Sequence, residues 1–184
     1  MDARNPDDIP VDTDGLPADQ RRWAALAIFT ALAMASLDTS MTNVALPAIA
    51  VDLHVSPAEV VWIVNIYQIA MVTTLLPLAA LGDIVGLKRL YLVGLVLFVA
   101  GSLACAFPTS LPALLVARTA EGLGASSLMS INTALVRFIY PRCWLGQGYG
   151  WNALVVAVAF SAGPTVAAGV LSVAHWPWLE RKSV

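Results

Sequence analysis

Leu37-Asp-Thr-Ser-Met-Thr-Asn-Val-Ala-Leu-Pro47 sets a carboxylate, three hydroxyls and an amide near the end of an apolar run that begins at about Trp23. The run is long enough to cross a bilayer, which takes about 20 residues. A charge at membrane depth costs roughly 2.5–3.5 kcal/mol on insertion scales. A residue kept at that cost commonly serves an ion or transport path. The plainer reading is an Asp at a helix end, already among the headgroups. Depth decides between the two.

The rest of the chain fits a membrane setting. Of 184 residues, 59% are hydrophobic and 12% charged, against about 45–50% and about 25% in soluble domains. That balance predicts an all-α membrane protein that crosses the bilayer several times. The formal net charge of -2 decides little, because the position of charge governs topology. Cys105 and Cys143 fall in an apolar run and beside a basic loop, on different levels, so no disulfide is expected. His54 and His175 are isolated and read as interfacial residues. No metal-ligand spacing, nucleophile–base set or phosphate-cradling loop is present, so the sequence predicts neither an enzyme nor a cofactor, metal or nucleic-acid partner.

Residues 1–20 are acidic and rich in proline, a composition that cannot bury a core, and are expected to form a disordered tail. The acidic start and long first apolar run do not match a cleaved signal peptide. Five apolar spans follow, at about Trp23–Leu46, Ala58–Leu81, Leu90–Ala106, Leu111–Phe138 and Gly148–Val173. Their length and lack of period-two alternation exclude strands. Pro77 and Pro164 lie inside spans, where neighbouring helices must satisfy the freed carbonyls; kinks are expected at both. Arg21 and Arg22, Lys88 and Arg89, and Arg137 and Arg142 fall at one set of ends, while loops 47–57 and 107–111 hold no Lys or Arg. The positive-inside rule then places the N-terminus in the cytoplasm.

The fourth span carries Arg118 and Glu121, three apart and so on one helix face. Asp38 precedes Pro47 by nine residues, about 13 Å from the outer end at 1.5 Å per residue. Arg118 lies about 9 Å and Glu121 about 13–15 Å below the outer end of the oppositely running fourth span. Three ionisable groups thus share one level. If these spans are neighbours, they build a polar site inside the membrane. Burial disfavours a charged carboxylate and a nearby guanidinium favours it, so a change in water access can load or release a proton at Asp38 or Glu121. The alternative is that Arg118 and Glu121 only neutralise each other and pack helices. Small residues after them, from Gly122 to Ser127, suit close helix approach. Gly82-Asp-Ile-Val-Gly-Leu-Lys-Arg89 reads as a tight turn, with Asp83 placed to cap the next helix. Ala159, Gly163 and Ala167 recur at spacing four beside Pro164, which by itself reads as a packing stripe.

In this order the stretches resemble the major facilitator superfamily, and within it the drug:proton antiporters with fourteen helices. Leu37-Asp38-x-Ser40-Met41-x-Asn43-Val44-Ala45-Leu46-Pro47 is similar to that group's first-helix motif, with Ser40 where Thr is usual. Trp62 and Tyr67 fall where its second helix carries aromatics. Asp83-x-x-Gly86-x-Lys88-Arg89 resembles the superfamily's loop motif, with Ala79 where that motif starts with Gly. Arg118-x-x-Glu121-Gly122-x-Gly124-Ala125 resembles the fourth-helix motif with Glu121 for the usual Gln, and Gly163-Pro164-x-x-Ala167-Ala168 the fifth-helix antiporter motif with alanines for glycines. The resemblance covers about residues 21–178. It implies a partial N-terminal helix bundle with five transmembrane helices, from a fold of two six-helix halves that rock about a central cavity. It implies proton coupling or substrate binding at Asp38, Arg118, Glu121 and Asn43. It assigns cytoplasmic gating to the loop Gly82, Asp83, Gly86, Lys88 and Arg89, and the shape of the antiporter helix to Gly163 and Pro164. Glu121 in place of Gln leaves two readings, a preference for cationic substrates or a partner for Arg118.

Members of this group are far longer. Trp176-Pro-Trp178-Leu179 stands where a sixth helix would begin, and residues 179–184 do not continue in the family's style. The sequence therefore reads as an N-terminal fragment of a proton-coupled exporter of drugs or other small organic molecules in the cell's inner membrane. Its expected partners are the bilayer, protons, a small organic substrate and a separately encoded remainder. A metabolite exporter of the same fold and a degenerate, non-transporting piece are the alternatives.

Overall fold

The computed structural model describes residues 15–106 and 110–174, with side chains described as far as residue 169. Most of the expected acidic tail and the whole non-family tail at 179–184 lie outside them. The described residues are helical: α1 (Ala18–Asp52), the single turn α2 (Pro57–Val60), α3 (Trp62–Val85), α4 (Leu87–Cys105), α5 (Leu111–Ile139) and α6 (Leu145–Ala174). A 3₁₀ turn at Arg142–Trp144 leads into α6.

Four stretches among the described residues are long and apolar enough to cross a membrane: Ala18–Asp52, Pro57–Val85, Leu87–Cys105 and Arg142–Gly169. α5 is 29 residues long but less apolar, because of Arg118, Glu121, Arg137 and its Ser, Thr and Asn residues. The packing explains why it can be. α5 lies against α3 on one side and α4 on the other, and also touches α1, while α1 lies against α6. α5 is thus the interior helix, and it buries Arg118, Glu121, Ser126, Ser127 and Asn132 rather than showing them to lipid. The outer helices show the opposite habit, with Leu76 and Ile84 of α3 and Leu103 of α4 well exposed, as an acyl-chain solvent requires.

Small residues set how closely these helices meet. A Cβ on Gly124 of α5 would stand 2.5 Å from the Phe98 backbone nitrogen of α4, and one on Gly101 of α4 would stand 2.8 Å from the Glu121 nitrogen. Main chain therefore lies against side-chain-free main chain, as expected where association depends on packing rather than on water. Ser127 Oγ adds a cross-helix hydrogen bond to the Leu90 carbonyl at 2.9 Å. The main core joins Ile28 and Ala35 of α1, Tyr67 of α3, Phe98 of α4 and Leu128 and Ile131 of α5. A smaller cluster of Val60, Ile63 and Leu114 closes the opposite end.

Three boundaries differ from the sequence reading. α1 begins at Ala18 and runs through Pro47 to Asp52 instead of stopping near Leu46. The last turns are held by Leu46, Ile49, Ala50 and Leu53, which pack on the Val60–Ile63–Leu114 cluster and outweigh the proline. The expected loop at 47–57 shrinks accordingly. The second span starts earlier than Ala58 because Ser56 and Glu59 form a capping box: Ser56 N–H donates to Glu59 Oε2 at 2.9 Å and Glu59 N–H to Ser56 Oγ at 3.3 Å. Asp83 does not cap α4. It falls in the last turn of α3, and Gly86, at φ 101°, ends α3 and starts α4 with no side-chain cap. That left-handed backbone is open to glycine at little cost.

Candidate functional site

Arg118 sits at the centre. Its position on α5, between α1 and α4, follows from the close α4–α5 approach at Gly101 and Gly124. Arg118 Nη1 donates to Asp38 Oδ2 of α1 at 2.7 Å and stands 3.0 Å from Glu121 Oε2, one turn along its own helix. Nη2 donates to Thr42 Oγ1 at 2.5 Å. Asp38 and Thr42 are four apart, so one face of α1 presents both to the guanidinium. Glu121 is fully buried, Arg118 nearly so, and the Asp38 side chain retains 19% exposure. The shared level argued from the sequence is thus a direct contact. α1 continues through Pro47 to Asp52, so the outer end of the helix lies farther from Asp38 than Pro47 does.

The pairing is incomplete. Glu121 Oε1 and Arg118 Nε are buried without a hydrogen-bond partner. Two carboxylates face one guanidinium, and a buried charge without full compensation is costly. Such an arrangement favours binding of one further positive charge, either a proton on a carboxylate or a cation beside it.

Residues from α3 and α4 complete the surroundings. Cys105 Sγ donates to Glu121 Oε2 at 3.5 Å, and Ser102 also faces this carboxylate. Tyr67 is buried against Gly122, with its hydroxyl beside Thr39. The sequence reading placed Tyr67 by resemblance, and missed Cys105 and Ser102. Their spacing on α4 matches one face of a helix, but nothing local says that this face meets Glu121. Both cysteines are free. Among the described residues, no group of three or more His, Cys, Asp or Glu is placed to hold a metal ion.

A cavity of about 440 Å³ adjoins the cluster. It is lined by Asp38, Thr42 and Arg118 and by apolar side chains that include Met34, Leu37 and Met41. It is open on one side, and Ser102 and Cys105 reach it from α4.

The other expected site residues lie elsewhere. Asn43 is exposed and donates from Nδ2 to the Thr39 carbonyl of its own helix at 2.9 Å. Gly82 is buried against Leu87 and Leu90. Asp83, Lys88 and Arg89 are exposed and make no ion pair among the described residues. Gly163 is buried on α6 and faces Ser40 of α1, and Pro164 is exposed beside it.

Membrane-length helices packed about an interior ion-pair cluster, with a cavity at its edge, describe part of a multi-pass membrane helix bundle. The chain belongs to the Major Facilitator Superfamily, which it matches over residues 28–179. It is 52% identical, over 92% of its length, to YebQ of Escherichia coli (strain K12), an uncharacterized transporter, of which it covers 37%. It is 31% identical, over 86% of its length, to the riboflavin transporter RibZ of Clostridioides difficile (strain 630), covering 35% of that protein. A third relative is the tetracenomycin C resistance and export protein of Streptomyces glaucescens, 34% identical over 86% of the chain and 29% of its own length. The chain therefore spans between 29% and 37% of the length of these relatives.

Proposed function

We propose that this chain forms the N-terminal part of the transport unit of a proton-coupled exporter of drugs or other small organic molecules. It lies in the cytoplasmic membrane with its N-terminus inside. The observation that carries this reading is the Asp38–Arg118–Glu121 cluster at the wall of the cavity. Asp38 is the exchanging carboxylate, because it alone of the two retains exposure. A proton arriving on Asp38 weakens its bond to Arg118, and the guanidinium is then held by Glu121 and Thr42 alone. That differential contact is what lets protonation bias one conformation over another. The loop from Gly82 to Arg89 contributes a cytoplasmic latch, its exposed Asp83, Lys88 and Arg89 being available to a second half of the transporter. The partners are the bilayer, protons, an organic substrate and a remainder that supplies this second half.

Export of drugs is supported by the tetracenomycin C resistance and export protein among the relatives. A second reading, transport of a metabolite, is favoured by RibZ, named for riboflavin. Efflux and uptake of labelled drugs and of riboflavin by one preparation separate the two.

The test of coupling uses the chain joined to the C-terminal remainder of a relative. Asp38→Asn keeps the shape and removes the exchangeable charge. It should abolish efflux driven by a pH gradient while leaving membrane insertion intact. Normal gradient-driven efflux from the variant would defeat the proposal.

A further inference from the structure

Pro164 lies inside α6, and the helix runs on through it. Proline has no N–H, so the carbonyl of Phe160, four residues back, loses its helical partner. In a bilayer no water is at hand to replace it, and an unpaired carbonyl there is costly. Ser40 of α1 supplies the missing donor: its Oγ donates to the Phe160 carbonyl at 3.0 Å. Among the described residues, Ser40 shares with Ser127 a bond from a helical hydroxyl to a carbonyl of another helix. Thr30, Thr39, Thr74 and Thr119 all turn back to the carbonyl four residues earlier in their own helix. Ser40 instead reaches across to α6.

The facing surface permits the reach. Ala159, Gly163 and Ala167 are all buried at spacing four on α6, so nothing larger than a methyl group stands between the helices. Gly163 lies directly under Ser40, and a Cβ there would overlap Ser40 Oγ and Cβ. Ser40 follows Asp38 by two residues, which turns it about 200° around the helix. One face of α1 is therefore held to α5 through Asp38 and Thr42, and the opposite face to α6 through Ser40, at one height.

We infer that Ser40 is a positioning residue: standing in for the backbone N–H that Pro164 lacks, it fixes α1 on α6 and thereby holds Asp38 against Arg118. A change in the bend of α6 at Pro164 then moves the carbonyl that Ser40 grips, and α1 follows. The importance of this joint for transport rests on the proposed exchange at Asp38; the joint itself does not.

The test is a double-mutant cycle on the full 184-residue chain in lipid nanodiscs, in a Cys143→Ser background. Cys143 is exposed and Cys105 faces Glu121 of the cluster, so alkylation of Cys105 by N-ethylmaleimide reports on the cluster without any transport assay. Ser40→Ala should raise the alkylation rate about fivefold, the equivalent of one neutral hydrogen bond. Ser40→Thr should restore the original rate. Pro164→Ala returns a helical N–H to the Phe160 carbonyl, so adding Ser40→Ala to it should change the rate less than twofold. Should Ser40→Ala alone fail to fold, the double variant must still fold, since its carbonyl is satisfied. Equal effects of Ser40→Ala in both backgrounds, no effect in either, or loss of the double variant would overturn the inference. The outcome is separable from the coupling proposal, because normal efflux from Asp38→Asn leaves these alkylation rates untouched.

Discussion

At the scale of single residues, the arithmetic of charge dominates. Arg118 serves two carboxylates and a hydroxyl, and of the two carboxylates Asp38 lines the cavity while Glu121 is fully buried. Removing the guanidinium alone strands Glu121, which is fully buried. Breaking a buried pair from one side costs about 3–5 kcal/mol, whereas replacing both members by apolar residues is often neutral. Arg118→Met should therefore lower the SDS fraction at which the chain unfolds in mixed micelles, and Arg118→Met with Glu121→Leu should recover most of the loss. Additive losses in the double variant would mean that the two side chains do not neutralise each other. The pairing of Arg118 with Glu121 was legible because a three-residue spacing on a helix fixes it. Its contact with Asp38 was legible only as a shared depth, which the rise per residue supplies but which does not say that two helices touch. Asn43 shows the limit of such reading. Its place in the first-helix motif suggested the site, yet its amide folds back onto Thr39.

Helices are the next scale, and glycine separates two kinds of constraint on them. Gly86 needs its positive φ of 101° but has open space around it. Gly124 has ordinary helical backbone but no room, with the Phe98 main chain 2.5 Å from where a Cβ would stand. Gly86→Ala should cost about 1–2 kcal/mol through backbone strain alone. It should leave Cys105 and the cluster undisturbed. Gly124→Ala must push α4 away from α5, at about 1–3 kcal/mol for overpacking, and should expose Cys105 to alkylation. Comparison of unfolding midpoints with Cys105 alkylation rates checks both. A Gly86→Ala variant with altered Cys105 reactivity, or a Gly124→Ala variant without it, would contradict this division. Four of the long helices among the described residues are legible from apolar length, whereas α5 is a long run interrupted by Arg118, Glu121 and polar residues. The helix ends are not legible in this way: α1 passes Pro47 because packing on Val60, Ile63 and Leu114 overrides a local stop signal. The stripe Ala159, Gly163 and Ala167 was readable as a packing face, but not as the seat of α1. A hydrogen bond from Ser40 to a carbonyl 120 residues away has no period in the sequence.

The whole molecule is an open arrangement. The charge cluster lies at the wall of a cavity of about 440 Å³ that is bounded by α1, α4, α5 and α6 and open on one side. Alternating access in secondary transporters rocks one bundle against another about a fixed site. The relatives have room for a second bundle, since the chain covers 37% of YebQ and 35% of RibZ. On the proposed reading, a proton or cation held at Asp38 reaches the two sides in turn only when a second bundle closes over the cavity. The 184-residue chain reconstituted into lipid vesicles should accordingly show no accumulation of a fluorescent organic cation when a pH gradient is imposed. The same chain joined to the remainder of a relative should show it, and Asp38→Asn should remove it again. Accumulation by the chain alone that Asp38→Asn abolishes would show that two copies can supply each other's missing half. The requirement for a distinct second bundle would then be wrong, although the role of Asp38 would stand. Accumulation that Asp38→Asn leaves unchanged would remove both, because the cluster would then have no part in moving either the proton or the cation.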